Sequence, residues 1–160
     1  MRLVIAAIGK LKDGAERELY ARYADRVSAS GRGLSLGPLE LREMPEGKSP
    51  ARETRMTDEA ERLVAKASSA SVRILLDEHG RAMSSAAFAT LIRDLRDRGE
   101  SAIAFLLGGP DGHGEPARKA AQLSLSLGPM TLPHGLARIV LAEQLYRAAT
   151  ILAGHPYHRG

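Results

Sequence analysis

Three short runs constrain the fold of this chain more than any other feature: Leu3-Val4-Ile5-Ala6-Ala7-Ile8, Val72-Arg73-Ile74-Leu75-Leu76-Asp77, and Ala102 to Leu107. Each is too short for an ordinary helix and reads as a strand. The first and the last carry no polar residue and so read as buried on both sides, while the second carries Arg73 and closes on Asp77. Alternating residues predict a strand over 34–41 and another over 123–127. Helical spacing fills the gaps. Leu19, Tyr20, Tyr23 and Val27 mark a helix from Ala15 that ends near Gly31. A short polar helix is expected over 58–68. Ser84 or Ser85 can cap a helix whose apolar face holds Phe88, Leu91, Ile92 and Leu95 and which stops at Gly99. A short helix over 115–122 and the longest, Gly135 to Ala153, complete the set. Strands alternating with helices predict an α/β domain, with a mostly parallel five-stranded sheet and helices on both faces.

A chain of 160 residues suits a single domain, 1–160, and can bury its core without staples. Residues 44–57 mix Pro, Gly and charge and read as a mobile loop. The absence of cysteine excludes disulfides, thiolate zinc sites and a cysteine nucleophile. No metal is expected. The apolar start is too short for a signal peptide, and no window holds ~18 consecutive apolar residues, so the expected location is the cytoplasm.

Net charge is +4, which permits an RNA partner without requiring one. Its distribution is more informative. Residues 1–100 hold 34 charged residues and residues 101–160 hold 8, while four of five histidines lie in the latter segment. Such a C-terminal third belongs in a core, an interface or a site.

Ligands of parallel sheets bind beyond the carboxyl ends of the strands. Three Gly- or Pro-rich loops are expected there: Asp77–Arg81, Gly108–Glu115 and Gly128–Pro133. The second is not a phosphate loop, because no Lys-Ser or Lys-Thr follows Gly108 at the required distance. Gly112 to Ala117 fits G-x-G-x-x-A only formally, since no acidic residue stands ~20 positions later to hold a ribose. The loop has no basic residue before Pro116, so its backbone suits a neutral nucleoside better than a polyphosphate. Leu127, Met130 and Leu132 could sandwich an adenine ring. Glycines that merely turn the chain are the competing explanation for this loop taken alone.

On the last helix, Glu143 and Arg147 stand four apart and read either as a surface ion pair or as a pair at a pocket mouth. Arg138 and Arg147 are candidates for phosphate contacts or for partners of Glu143. His134 and Thr131 are candidate helix caps. The terminal His155-Pro156-Tyr157-His158-Arg159 can stack on a base and pair with phosphate, or form a frayed basic end.

FLLGGPDG, LSLGPMTLPHGLARIVLAEQLYRA and the terminal HPYHR together resemble the methyltransferase H family of the large ribosomal subunit, a branch of the knotted SPOUT methyltransferases. VIAAIGKLK and LLDEHGRAMSS also match, so the resemblance spans nearly the whole chain. His113 stands where related sequences often carry an apolar residue.

The resemblance implies a C-terminal trefoil knot, a homodimer and S-adenosylmethionine as cofactor. It implies methylation of N3 of a pseudouridine in a 23S rRNA stem-loop within assembled ribosomes. Carried over residue by residue, the cofactor contacts fall on Leu76, on Gly108 and Gly109, and on Leu127, Gly128, Pro129, Met130, Thr131 and Leu132. The family's tail reaches towards the partner subunit's site, which gives Tyr157, His158 and Arg159 an RNA-facing, catalytic role. The alternatives are a non-catalytic ribosome- or RNA-binding protein on the same fold, and an enzyme for another nucleoside ligand.

Overall fold

The computed structural model describes residues 1–160. Its strands and helices alternate: β1 (Arg2–Ile8), α1 (Ala15–Gly31), β2 (Leu39–Met44), α2 (Arg52–Lys66), β3 (Val72–Ala82), α3 (Ser85–Asp97), β4 (Ala102–Leu107), α4 (Glu115–Ala120), β5 (Leu123–Ser126) and α5 (His134–Ala153). The five strands form one sheet in the order β2-β1-β4-β3-β5, and every pair is parallel.

The three apolar runs sit where their chemistry requires, as β1, β3 and β4. Leu3, Ile5 and Ala7 of β1 join Ile103, Phe105 and Leu107 of β4 in a core under α1, α3 and α5. Val4, Ala6 and Ile8 join Ala102, Ala104 and Leu106 in a second core under α2 and α4. Successive side chains of a strand face opposite sides, so runs without polar breaks need helices on both faces. α5 packs on α1 and on α3, which accounts for its wide apolar arc. No helix is long and apolar enough to cross a membrane.

Three expectations need correction. The second strand begins at Leu39 rather than residue 34. Residues 32–34 form a 3-10 turn, Ser35 adopts a left-handed φ of 56°, and Pro38 has no N–H to donate. Leu36 alternates because it is buried beside the sheet, not because it pairs in it.

Only the first part of the expected 44–57 loop is a loop, since α2 starts at Arg52. Arg55 in its first turn grips Asp111, with Nε to Oδ2 at 2.7 Å and a second bond at 3.2 Å. Pro45, Gly47 and Pro50 just before it mask a turn whose own Arg52 and Glu53 have good helix propensity.

The third strand does not end at Asp77. Its ladder with β4 stops at Leu76↔Leu107, and its ladder with β5 resumes at Arg81 after a register shift. The expected loop is therefore a bulge within β3. The cap of α3 is Ser84, whose Oγ accepts from the Ala87 N–H at 3.0 Å.

Candidate functional site

Carboxyl ends of parallel strands leave their last carbonyls and the following turns facing one edge of the sheet. At this edge the bulge of β3, the glycine loop after β4, the loop after β5 and the first turn of α5 enclose a crevice of about 700 Å³. That is within the ~300–1,000 Å³ range of sites for ligands of drug size.

Eight of the nine residues expected around a cofactor line this crevice. Leu76, Gly108 and Gly109 contribute from one wall. Leu127, Gly128, Met130, Thr131 and Leu132 contribute from the other. Pro129 belongs to the same turn but is not part of the lining. Met130 is 81 % exposed and, with half-exposed Leu132, gives the mouth an apolar lip.

The glycine loop is built by close approach. Gly112 N–H donates to the Gly109 carbonyl at 3.0 Å, which folds the loop on itself. A Cβ on Gly109 would stand 2.6 Å from the Glu59 carboxylate of α2 and 3.1 Å from Ile8, so a side chain there would push the Glu59 carboxylate aside. Asp111 faces the same helix. Hydrogen bonding from Arg55 holds its carboxyl below the ordinary range, and Arg52 lies 3.7 Å away.

The opposite wall is tied to the β3 bulge. The Ser126 hydroxyl stands 3.0 Å from the Glu78 carbonyl and accepts from the Gly128 N–H. Thr131 Oγ1 donates to Glu78 at 3.3 Å, so it braces the bulge instead of capping α5. Asp77 pairs with Arg118 of α4 at 2.8 Å. Burial pushes the Asp77 carboxyl up, but bonds from the His79 N–H and Arg118 outweigh it and keep the group below its usual value.

Sequence reasoning missed Glu78 and His79 on the lining, and also the position of His113. The local signal for the first two was present in DEHG, but the bulge that sets them at the rim of the crevice forms only when β5 pairs beyond it. His113 departs from the apolar residue that related sequences often carry, yet nothing in the sequence places it between two strand ends.

Beneath the crevice Arg138 is wholly buried. It donates to the carbonyls of Gly9 at 2.8 Å and Ile8 at 3.1 Å, and it pairs with Glu43. Glu43 also accepts from Leu11 N–H and Arg17. Arg138 is therefore neither a phosphate ligand nor a partner of Glu143. It also donates to His134 Nδ1 at 3.0 Å, so His134 carries its own proton on Nε2 and presents a donor to the crevice, not a cap to the helix.

The tail lies elsewhere in the chain. The Tyr157 hydroxyl donates to Glu143 Oε1 at 3.0 Å, its ring meets Tyr146 at 4.6 Å between centroids, and the Arg147 guanidinium lies 4.8 Å from it. Burial and the bond to Glu143 push the Tyr157 hydroxyl up to about 12. Arg147 stands 2.6 Å from Glu143 and donates to His158 Nδ1 at 3.2 Å. The Glu143–Arg147 pair thus anchors the tail and is not at the mouth of its own crevice. Arg159 makes no ion pair or hydrogen bond within the chain.

The crevice can hold a flat, largely neutral group between apolar side chains and main chain, with Asp77, Glu78 and Asp111 and the paired Arg52 and Arg118 at its edge. It offers no cluster of residues suited to a metal. The model of a family described as predicted SPOUT methyltransferase matches residues 1–158. The ribosomal RNA large subunit methyltransferase H of Xanthobacter autotrophicus is 49 % identical over 159 residues, covering 99 % of each chain. That of Brucella anthropi is 48 % identical with the same coverage. Among solved structures, a probable methylase family protein from Haemophilus influenzae Rd KW20 superposes with a TM-score of 0.52 at 13 % identity. It covers 99 % of this chain and 70 % of that one, a likeness of fold alone.

Proposed function

This chain belongs to the SPOUT methyltransferases, and from that membership we propose that it methylates N3 of a pseudouridine in a 23S rRNA stem-loop of assembled ribosomes. Its cofactor is S-adenosylmethionine, which supplies a methyl group activated by the positive sulfur that leaves. The observation that carries the reading is the meeting of the glycine loop and the Leu127–Leu132 loop around one crevice free of a phosphate-binding lysine.

In this reading Leu76, Gly108 and Gly109 hold one side of the adenosyl group, and Leu127, Gly128, Met130, Thr131 and Leu132 the other. Pro129 shapes that second turn. The chain's own contribution is placement. Holding the nucleophile in line can supply ~7–11 kcal/mol of a displacement barrier.

No side chain considered as a base for the N3 proton is free to act as one within the chain. Glu143 is held by Arg147 and Tyr157, His134 Nδ1 by Arg138, and His158 Nδ1 by Arg147. The protein acts as a homodimer in which the knotted C-terminal region of one subunit receives the tail of the other. Tyr157 stacks on a base, and His158 with Arg159 places the nucleotide. Arg159 is unpaired within its own chain, which supports that task.

The test combines calorimetry with S-adenosylmethionine and mass spectrometry of 23S rRNA fragments after reaction with ribosomes lacking the modification. Binding and a single methyl on pseudouridine N3 are expected. The variant Arg159→Ala should keep cofactor affinity and lose methylation. Cofactor binding without any methylated nucleotide would favour a non-catalytic RNA-binding protein.

A further inference from the structure

One buried side chain joins the two strand ends that form a wall of the crevice. His113 is 6 % exposed, and its Nε2 lies 2.8 Å from the Leu76 carbonyl. A carbonyl only accepts, so the imidazole carries its proton on Nε2. Burial holds the ring below the ordinary histidine value, which keeps it neutral at pH 7. Nδ1 is buried and without a partner, 3.1 Å from where a Cβ on Gly108 would stand. The ring thus fills the space that a side chain at Gly108 would need.

The position of this bond is what matters. Leu76↔Leu107 is the last rung of the β3–β4 ladder. Beyond it β4 enters the glycine loop and β3 enters its bulge, so the main chains part. The His113–Leu76 bond stands in place of the next rung. A second brace, Arg118 to Asp77, is half-exposed on the arginine side and is screened by water, so it is the weaker of the two.

We propose that His113 is a positioning residue for the cofactor: by holding the Leu76 carbonyl it fixes the separation between the end of β3 and Gly108, the two supports of one side of the adenosyl group. The inference rests on the reading of the crevice as the S-adenosylmethionine site. It concerns a position where the resemblance provides no polar contact. Leu76 and Gly108 touch the ligand; His113 acts through them.

Two variants separate the bond from the bulk of the ring. Leucine at 113 fills similar space but leaves the Leu76 carbonyl unpaired. Glutamine places its amide nitrogen the same number of bonds from Cβ as the imidazole Nε2 and can donate to that carbonyl. Calorimetry with S-adenosylmethionine should show His113→Leu weakened about tenfold and His113→Gln within about threefold of wild type, since an unpaired buried acceptor is costly. For methyl transfer, KM for the cofactor should rise in His113→Leu while kcat at saturation stays within about twofold, as expected for lost ground-state binding.

Unchanged affinity in His113→Leu, or equal loss in both variants, overturns the proposal. Should either variant fail to fold, nitrogen NMR of the wild-type imidazole decides. A neutral ring protonated at Nε2, with that proton shielded further from exchange when S-adenosylmethionine binds, is the expected result. An imidazolium at pH 7 or the opposite tautomer overturns it. Wild-type protein that binds no S-adenosylmethionine overturns the reading of the crevice and this inference with it. Binding by wild type with no change in His113→Leu overturns the inference alone.

Discussion

At the scale of single residues, Glu59 shows how the glycine loop is held and at what cost. It is 3 % exposed, and its Oε2 has no hydrogen-bond partner. Burial pushes its carboxyl up. Asp111 and Glu46 add to the rise, while Arg62 and a bond from the Gly47 main chain oppose it. The folded protein therefore keeps this proton to a higher pH than the unfolded chain does. Between the two values the unfolded state binds fewer protons, so stability falls as pH rises. Glu59→Gln, which cannot ionise, should match wild type near about pH 4 and become progressively more stable than wild type as pH rises above it. Urea unfolding at several pH values measures the difference. A gap that does not widen with pH refutes the raised value. None of this was legible in the sequence, where Glu59 is one acid among several on a charged helix. Its burial depends on Gly109, fifty residues away in the chain.

Among the elements, α5 shows the limit of reading one helix by itself. Its length, its apolar arc and its start beside Pro133 follow from local pattern. The role of Arg138 does not. Arg138 and Glu143 are five apart, and only side chains three or four apart face each other on a helix. Arg138 turns inward to the carbonyls at the end of β1 and to Glu43 of β2, and so ties three elements beneath the crevice. Burial lowers its pKa, and Glu43 opposes this only in part. Removing one partner of a buried pair leaves the other uncompensated. Arg138→Met should therefore lose about 3–5 kcal/mol of stability. Denaturant unfolding checks it, and a loss below about 1 kcal/mol would mean that Arg17 alone can satisfy Glu43.

For the molecule as a whole, the tail and the crevice are separate within one chain, and the proposed dimer brings them together. This gives a subunit-mixing prediction. A protein lacking residues 155–160 keeps its crevice and loses its tail. Gly108→Val keeps its tail and loses its crevice, since the new side chain meets the Gly112 carbonyl and His113. Each alone should be inactive. Co-refolded in equal amounts, they should recover roughly a quarter of wild-type activity, because half of the pairs are mixed and each of those has one complete site. No recovery would mean that each tail serves its own crevice.

The sequence by itself determined the strands that are buried on both faces, their parallel alternation with helices, and the two loops that close on the crevice. These depend on hydrophobic period and on turn residues, which act over a few positions. Tertiary structure alone decided the strand order, the bulge that sets Glu78 and His79 at the rim of the crevice, the buried pairing of Arg138 with Glu43, and the clasp of His113 on Leu76. Each joins groups far apart in sequence, and its energy comes from excluding water between surfaces that meet only in the folded chain.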